Sequence, residues 1–100
     1  MTARSAVAVF KESLKENNPD TKLSDNARAL WFAGKGNWNK AHEIVQDLPD
    51  SVASLIHAFL HRQEGDISNA RYWYARAGSK MPDSTLDEEW ETLVRIALES

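Results

Sequence analysis

Cysteine is missing from this chain of 100 residues. Disulfides, thiolate metal sites and cysteine nucleophiles are therefore excluded. The composition suits a reducing compartment, and a cytoplasmic location is the expectation. Proline and glycine are scarce, at 3 and 4 residues, and no low-complexity segment is present. No apolar run approaches the roughly 18–20 residues that span a bilayer as a helix. The apolar patch from Ala6 to Phe10 is cut by Lys11 and Glu12, which is too short for the centre of a signal peptide. Neither a membrane partner nor a leader is expected. A basic block is also lacking: the formal net charge is −3, with both signs interspersed. Duplex nucleic acid is thus an unsuited partner. Glycine-rich phosphate loops, nucleophile elbows and strand-like alternation do not occur, so no cofactor is expected.

What remains is helical periodicity and an abundance of tryptophan, at Trp31, Trp38, Trp73 and Trp90. The length fits one domain, residues 1–100. Apolar residues at Ala3, Ala6, Val7, Phe10 and Leu14 predict a first helix over about 3–16, stopped by Asn17-Asn18-Pro19. Ser24 is the N-cap candidate for a second helix over about 25–34, which Gly34-Lys35-Gly36 closes. Asn37 opens a third over about 38–48, ended by Pro49. Asp50 or Ser51 opens a fourth over about 52–63, and Gly65-Asp66 separates it from a fifth over about 67–78. Thr85 and Glu88 stand in the spacing of a capping box before a sixth over about 86–99. The fold class is all-α, and short loops place successive helices side by side as antiparallel neighbours.

Two windows repeat. GNWNKAHEIVQDLP begins at Gly36 and GDISNARYWYARAG at Gly65, an offset of 65 − 36 = 29 residues. Each has a glycine, a capping Asn37 or Asp66, an apolar Trp38 or Ile67, and then Ala41 or Ala70. Val45 or Tyr74 follows, then Leu48 or Ala77. A fixed period in this range signals stacked helical pairs. On these residues the chain resembles the tetratricopeptide and Sel1-type repeats. Gly65, Asp66, Ala70, Tyr74, Ala77 and Pro82 match that family's second helix and terminal proline. The resemblance covers about residues 24–82 and implies a right-handed array of helical hairpins with terminal capping helices. It also implies binding of peptides or proteins. The segment LHRQEGDISNARYWYARAG is similar to a stretch in small bacterial proteins of unassigned function.

Candidate functional residues gather near the Gly65 turn. His57 and His61 are four apart, so their rings share one helix face, and Ser54 and Glu64 extend that stripe. Two histidines at this spacing hold a metal only with a third ligand, which His42, Glu64 or Asp66 could supply. The residues between them, Ala58, Phe59 and Leu60, lack the glutamate base of a zinc protease. No metal is assigned on the sequence. Asn69, Tyr72 and Arg76 occupy another side of the fifth helix at spacings of three and four. Tyrosine and arginine are favoured interface anchors, though Asn69 can also help cap the helix and Tyr72 can simply contact Arg76. Trp73 and Tyr74 read as core. Arg62 precedes Glu64 and Asp66, a spacing that suggests a weak local ion pair.

The reading is a non-enzymatic protein- or peptide-binding or scaffolding module. Ser54, His57, His61, Glu64, Asn69, Tyr72 and Arg76 are its candidate binding residues. The alternative is a small-molecule or metal site on the His57/His61 face, with or without catalysis. The tryptophan content makes a homodimer a candidate assembly.

Overall fold

The computed structural model describes residues 5–99, which form six helices and no strand. They are α1 (Ala6–Ser13), α2 (Asp25–Gly34), α3 (Trp38–Val45), α4 (Ser51–Gln63), α5 (Ile67–Arg76) and α6 (Leu86–Glu99). None is long and apolar enough to cross a membrane.

The helices begin where side-chain oxygens can accept from otherwise unpaired backbone N–H groups. Ser24 Oγ accepts from Ala27 N at 3.2 Å, and Asn37 Oδ1 from Lys40 N at 3.1 Å. Asp50, rather than Ser51, caps α4 through Ala53 N at 3.1 Å. Thr85 and Glu88 bond reciprocally at 3.1 and 2.9 Å, completing a capping box before α6. Ser5 caps α1, so that helix starts at Ala6; expected helical positions 3 and 4 lie outside the described residues.

Three helices stop earlier than periodicity suggests, because the chain tightens into turns while apolar spacing continues. After α1, Lys15 N bonds Glu12 O and Glu16 N bonds Ser13 O, three residues back rather than four. Leu48 N bonds Val45 O in the same way, so α3 ends at Val45. α5 ends at Arg76, and Gly78 takes φ 76° to turn the chain.

The 29-residue repeat has a backbone counterpart. Gly36 and Gly65 have φ of 82° and 87°, left-handed values that glycine adopts without a Cβ penalty. The following Asn37 and Asp66 share φ/ψ of −95/76° and −86/77°. Asn37 N reaches back to Phe32 O, and Asp66 N to His61 O, each at 2.9 Å. These are Schellman-type closures of α2 and α4. Gly34, by contrast, is the last residue of α2. A Cβ there would meet Trp90 Cζ2 at 2.9 Å and Leu14 at 3.0 Å, so close packing requires this glycine.

α4 is central, contacting α2, α3, α5 and α6. Its Ala53, Ile56, Phe59 and Leu60 join Leu30 and Trp31 of α2, Ala41 and Val45 of α3, and Leu93 and Val94 of α6. Phe10 of α1 and Trp90 of α6 close one end, with ring centroids 5.8 Å apart. The indole N–H of Trp90 donates to Leu30 O at 2.9 Å, so its burial leaves no donor unmet. A second, smaller cluster holds Ala58, Ala70 and Tyr74, with Trp73 only half-buried beside it. Thus Tyr74 is core, as its spacing indicates, whereas Trp73 remains partly open.

Arg62 does not pair with Glu64 or Asp66. Its Nη1 donates to Glu89 Oε1 at 2.7 Å and its Nη2 to Ser84 O at 2.5 Å. Glu89, a buried acid on α6, also accepts from the Tyr74 hydroxyl at 2.5 Å. Burial selects these partners. A desolvated carboxylate requires charge-assisted hydrogen bonds, whereas Glu64 and Asp66 are exposed and stay hydrated.

Candidate functional site

The chemistry-bearing side chains meet above α4, where α3 and α5 both lie against it. α4 contributes His57 and His61, one helical turn apart and 5% and 7% exposed. α3 contributes the half-buried His42 and Trp38. α5 contributes the half-buried Trp73 and Asn69. The positions follow from local packing. Trp38 is fixed by donating its indole N–H to Leu60 O at 2.7 Å. It then stacks on His42 at 4.8 Å, with the planes inclined by 10°. On the other side Trp73 stacks on His57, with centroids 3.8 Å apart and planes 17° from parallel.

Three imidazoles fill the space between these indoles. His42 meets His57 edge-on at 4.6 Å and His61 at 5.3 Å, while His57 and His61 stack at 4.9 Å. Rings this close are in van der Waals contact, leaving no slot between them for an organic molecule. His61 Nδ1 lies 2.7 Å from Glu64 Oε1. An ionised carboxylate only accepts, so Nδ1 carries the hydrogen. The Nε2 of His61 lies 3.4 Å from Asn69 Nδ2. Asn69 is itself held by Asp66, whose Oδ1 accepts from Asn69 N and whose Oδ2 accepts from Asn69 Nδ2, each at 3.4 Å.

Protonation of the two partnerless imidazoles is disfavoured. Burial pushes the His57 pKa down to about 4, with repulsion from His42 and His61 adding to the effect. His42 is lowered for the same reasons, burial first and His61 second, with Glu64 partly opposing. Both are neutral imidazoles at neutral pH, each with one ring nitrogen carrying a free lone pair. Such groups can accept hydrogen bonds or ligate soft and borderline cations. Among the described residues no hydroxyl hydrogen-bonds an imidazole, so a serine-type nucleophile and base are not assembled here.

The structure thus joins His57, His61, Glu64 and Asn69 in one constellation. It buries Ser54 on α4, at 5% exposure, three residues before His57. Tyr72 and Arg76 lie on the outward side of α5, and Tyr72 is 56% exposed. Arg76 Nη1 approaches the Tyr72 hydroxyl at 3.4 Å, and its guanidinium sits 5.4 Å from the Trp73 ring centre. His42 takes a central place although the sequence offered it only as one of three added ligands. Trp38 and Trp73 form the walls. The i,i+4 spacing of Trp38 and His42 is a readable stacking signal. The lateral approach of α3 to the imidazole face of α4 has no local signature. A cleft of about 440 Å³ opens elsewhere, among Leu14, Gly34, Trp90 and Glu91, and does not involve the imidazoles.

In comparisons with known proteins, the chain matches no family model, no curated sequence and no solved structure.

Proposed function

We propose that this protein is a non-enzymatic binding module of tetratricopeptide-like build, which engages a protein or peptide partner through the exposed side of α5. The one-sided packing of α5 carries the reading. Its Ala70 and Tyr74 are buried, while Arg71, Tyr72, Ala75 and Arg76 are exposed. Tyr72 and Arg76 already touch one another and Trp73. They therefore form a partly ordered aromatic-cationic surface, which lowers the entropy lost when a partner immobilises them. The repeated glycine turns support the array reading, since each closes one helix and caps the next with the same backbone geometry. Asn69, one turn before Tyr72 on the same helix, adds polar selectivity.

A photo-crosslinking residue at Tyr72, with one at Val9 of α1 as control, tests the proposal in the producing cell. Val9 is 53% exposed and so reports non-specific capture equally well. A discrete adduct from the Tyr72 position alone is expected, lost when Arg76→Ala is added. Identical adducts from both positions, or none from Tyr72, would overturn the reading. Adducts of twice the chain mass, with a dimer by light scattering, would identify the partner as a second copy.

A further inference from the structure

Three imidazoles converge from two helices with most of their ring nitrogens unengaged. The ligand nitrogens of His42, His57 and His61 all lie within 4.8 Å of one another. A histidine buried for structural reasons normally has its ring nitrogens hydrogen-bonded. Among the described residues, the histidine hydrogen bonds to protein belong to His61, with Glu64 and Asn69 as partners. His42 and His57 have ring contacts instead. These partnerless nitrogens are not sealed from solvent, since among the described residues the fully buried polar side-chain atom without a partner is Asn26 Oδ1, so they remain reachable from outside.

We infer that His42, His57 and His61 form a binding site for one divalent first-row transition-metal ion of the zinc class, with Glu64 orienting His61. The donor set is all nitrogen. It suits zinc, cobalt, nickel or copper, and not calcium or magnesium, which take oxygen ligands. In a tetrahedral site with Zn–N of about 2.0–2.1 Å, the donors stand about 3.3–3.4 Å apart. The donors here lie within 4.8 Å of one another, so binding an ion requires the imidazoles to turn inward. The i,i+4 spacing of His57 and His61 supplies two donors from one rigid helix, and His42 adds the third from α3.

The surrounding residues fit the same role. Because Nδ1–H of His61 donates to Glu64 Oε1 at 2.7 Å, the lone pair of Nε2 is left for a ligand. A carboxylate behind a ligating imidazole fixes its tautomer and raises its basicity. The Asn69 amide, at 3.4 Å from Nε2, is a distant competitor that an ion would displace. The Trp38 and Trp73 rings wall the site with apolar surface. Three protein ligands leave a fourth tetrahedral position for water or a group from a binding partner. A neighbouring set, His61 with Glu64 and Asp66, also has ligand atoms in range. Both of its acids are exposed and Asp66 is occupied as the cap of α5, so the histidine set is the better site.

The test uses the full chain, stripped of metal with a chelator and titrated with Co²⁺ in visible absorption and with Zn²⁺ in calorimetry. One equivalent should bind, with ligand-field bands of the intensity given by four-coordinate cobalt. His42→Gln and His61→Gln should each weaken affinity at least a hundredfold. Glu64→Gln should weaken it about tenfold to a hundredfold, as loss of a supporting carboxylate does. Val9→Ala, on the exposed side of α1, should change nothing. Circular dichroism of each metal-free variant confirms that its helices persist. His42 is half-buried, so His42→Gln decides the matter even if His61→Gln does not fold. Failure of the wild-type chain to take up one equivalent would overturn the inference. So would uptake that His42→Gln leaves intact, which would mark a surface site.

Discussion

The phenol of Tyr74 on α5 donates to the buried carboxylate of Glu89 on α6 at 2.5 Å. The same carboxylate receives Arg62 of α4 at 2.7 Å. One acid therefore ties three helices at a place where the apolar packing is thin, because the cluster around Tyr74 is the smaller of the two. Tyr74→Phe preserves the ring and removes one of the bonds to Glu89. The expected loss is about 1–3 kcal/mol, the cost of leaving a buried acceptor short of a donor. Urea unfolding measures it, and an unchanged midpoint would show that water replaces the phenol.

Removing the acid itself should cost more. Glu89→Ala leaves Arg62 half-buried and without its carboxylate, and a loss of about 3–5 kcal/mol is typical of breaking a buried pair. Replacing both partners, as Arg62→Met with Glu89→Leu, should cost less than Glu89→Ala alone, since no uncompensated charge remains. A double-mutant cycle of chemical denaturation checks this. Strict additivity of Arg62→Ala and Glu89→Ala would mean that the two side chains do not interact.

Alkaline pH should find the same network. Burial, and then the Glu89 carboxylate, hold the Tyr74 phenol well above its ordinary value of 10.0. With the folded value raised, the stabilisation is complete below the unfolded value, near pH 10, and declines as pH rises beyond it. Tyr72→Phe leaves Tyr74 as the single tyrosine of the chain. In that background, phenolate absorbance should not grow until the helices melt. The unfolding midpoint should fall with pH more steeply than in Tyr72→Phe/Tyr74→Phe. Phenolate growth without loss of structure would contradict the burial argument.

Gly34 offers a test of packing against propensity. Alanine is favoured over glycine by up to about 1 kcal/mol in a helix, less at its last residue, where Gly34 stands. Here the new methyl group would press on Trp90, whose ring is buried and whose N–H is tied to Leu30 O. Overpacking typically costs about 1–3 kcal/mol, so Gly34→Ala should lower the melting temperature despite its propensity. A rise would mean that the indole yields easily.

Helix identity was legible because it is a local property. The cap residues Ser24, Asn37, Asp66 and Thr85 and the glycines at 36 and 65 mark their boundaries by their own chemistry. The ends of α1, α3 and α5 were less legible, because apolar spacing persists through turns bonded three residues back. Within the candidate site, the His57–His61 stripe follows from helical spacing alone. His42 could be named as a third ligand, but its selection over Glu64 and Asp66 depends on how α3 approaches α4. Glu89 was hidden for a related reason. An acid in the first turns of a helix reads as a solvated residue favourable to the helix dipole, and only the arrival of Arg62 and Tyr74 from other helices accounts for its burial.

The four indoles divide into two populations. Trp31 and Trp90 are buried in the larger cluster at 1% and 8% exposure, whereas Trp38 and Trp73 are half-buried against imidazoles. The chain thus contains its own optical probe of the seam. Dissolved acrylamide should extinguish the emission of the outer pair while the inner pair keeps glowing, so occupancy beside the imidazoles can be followed by light without attaching a dye.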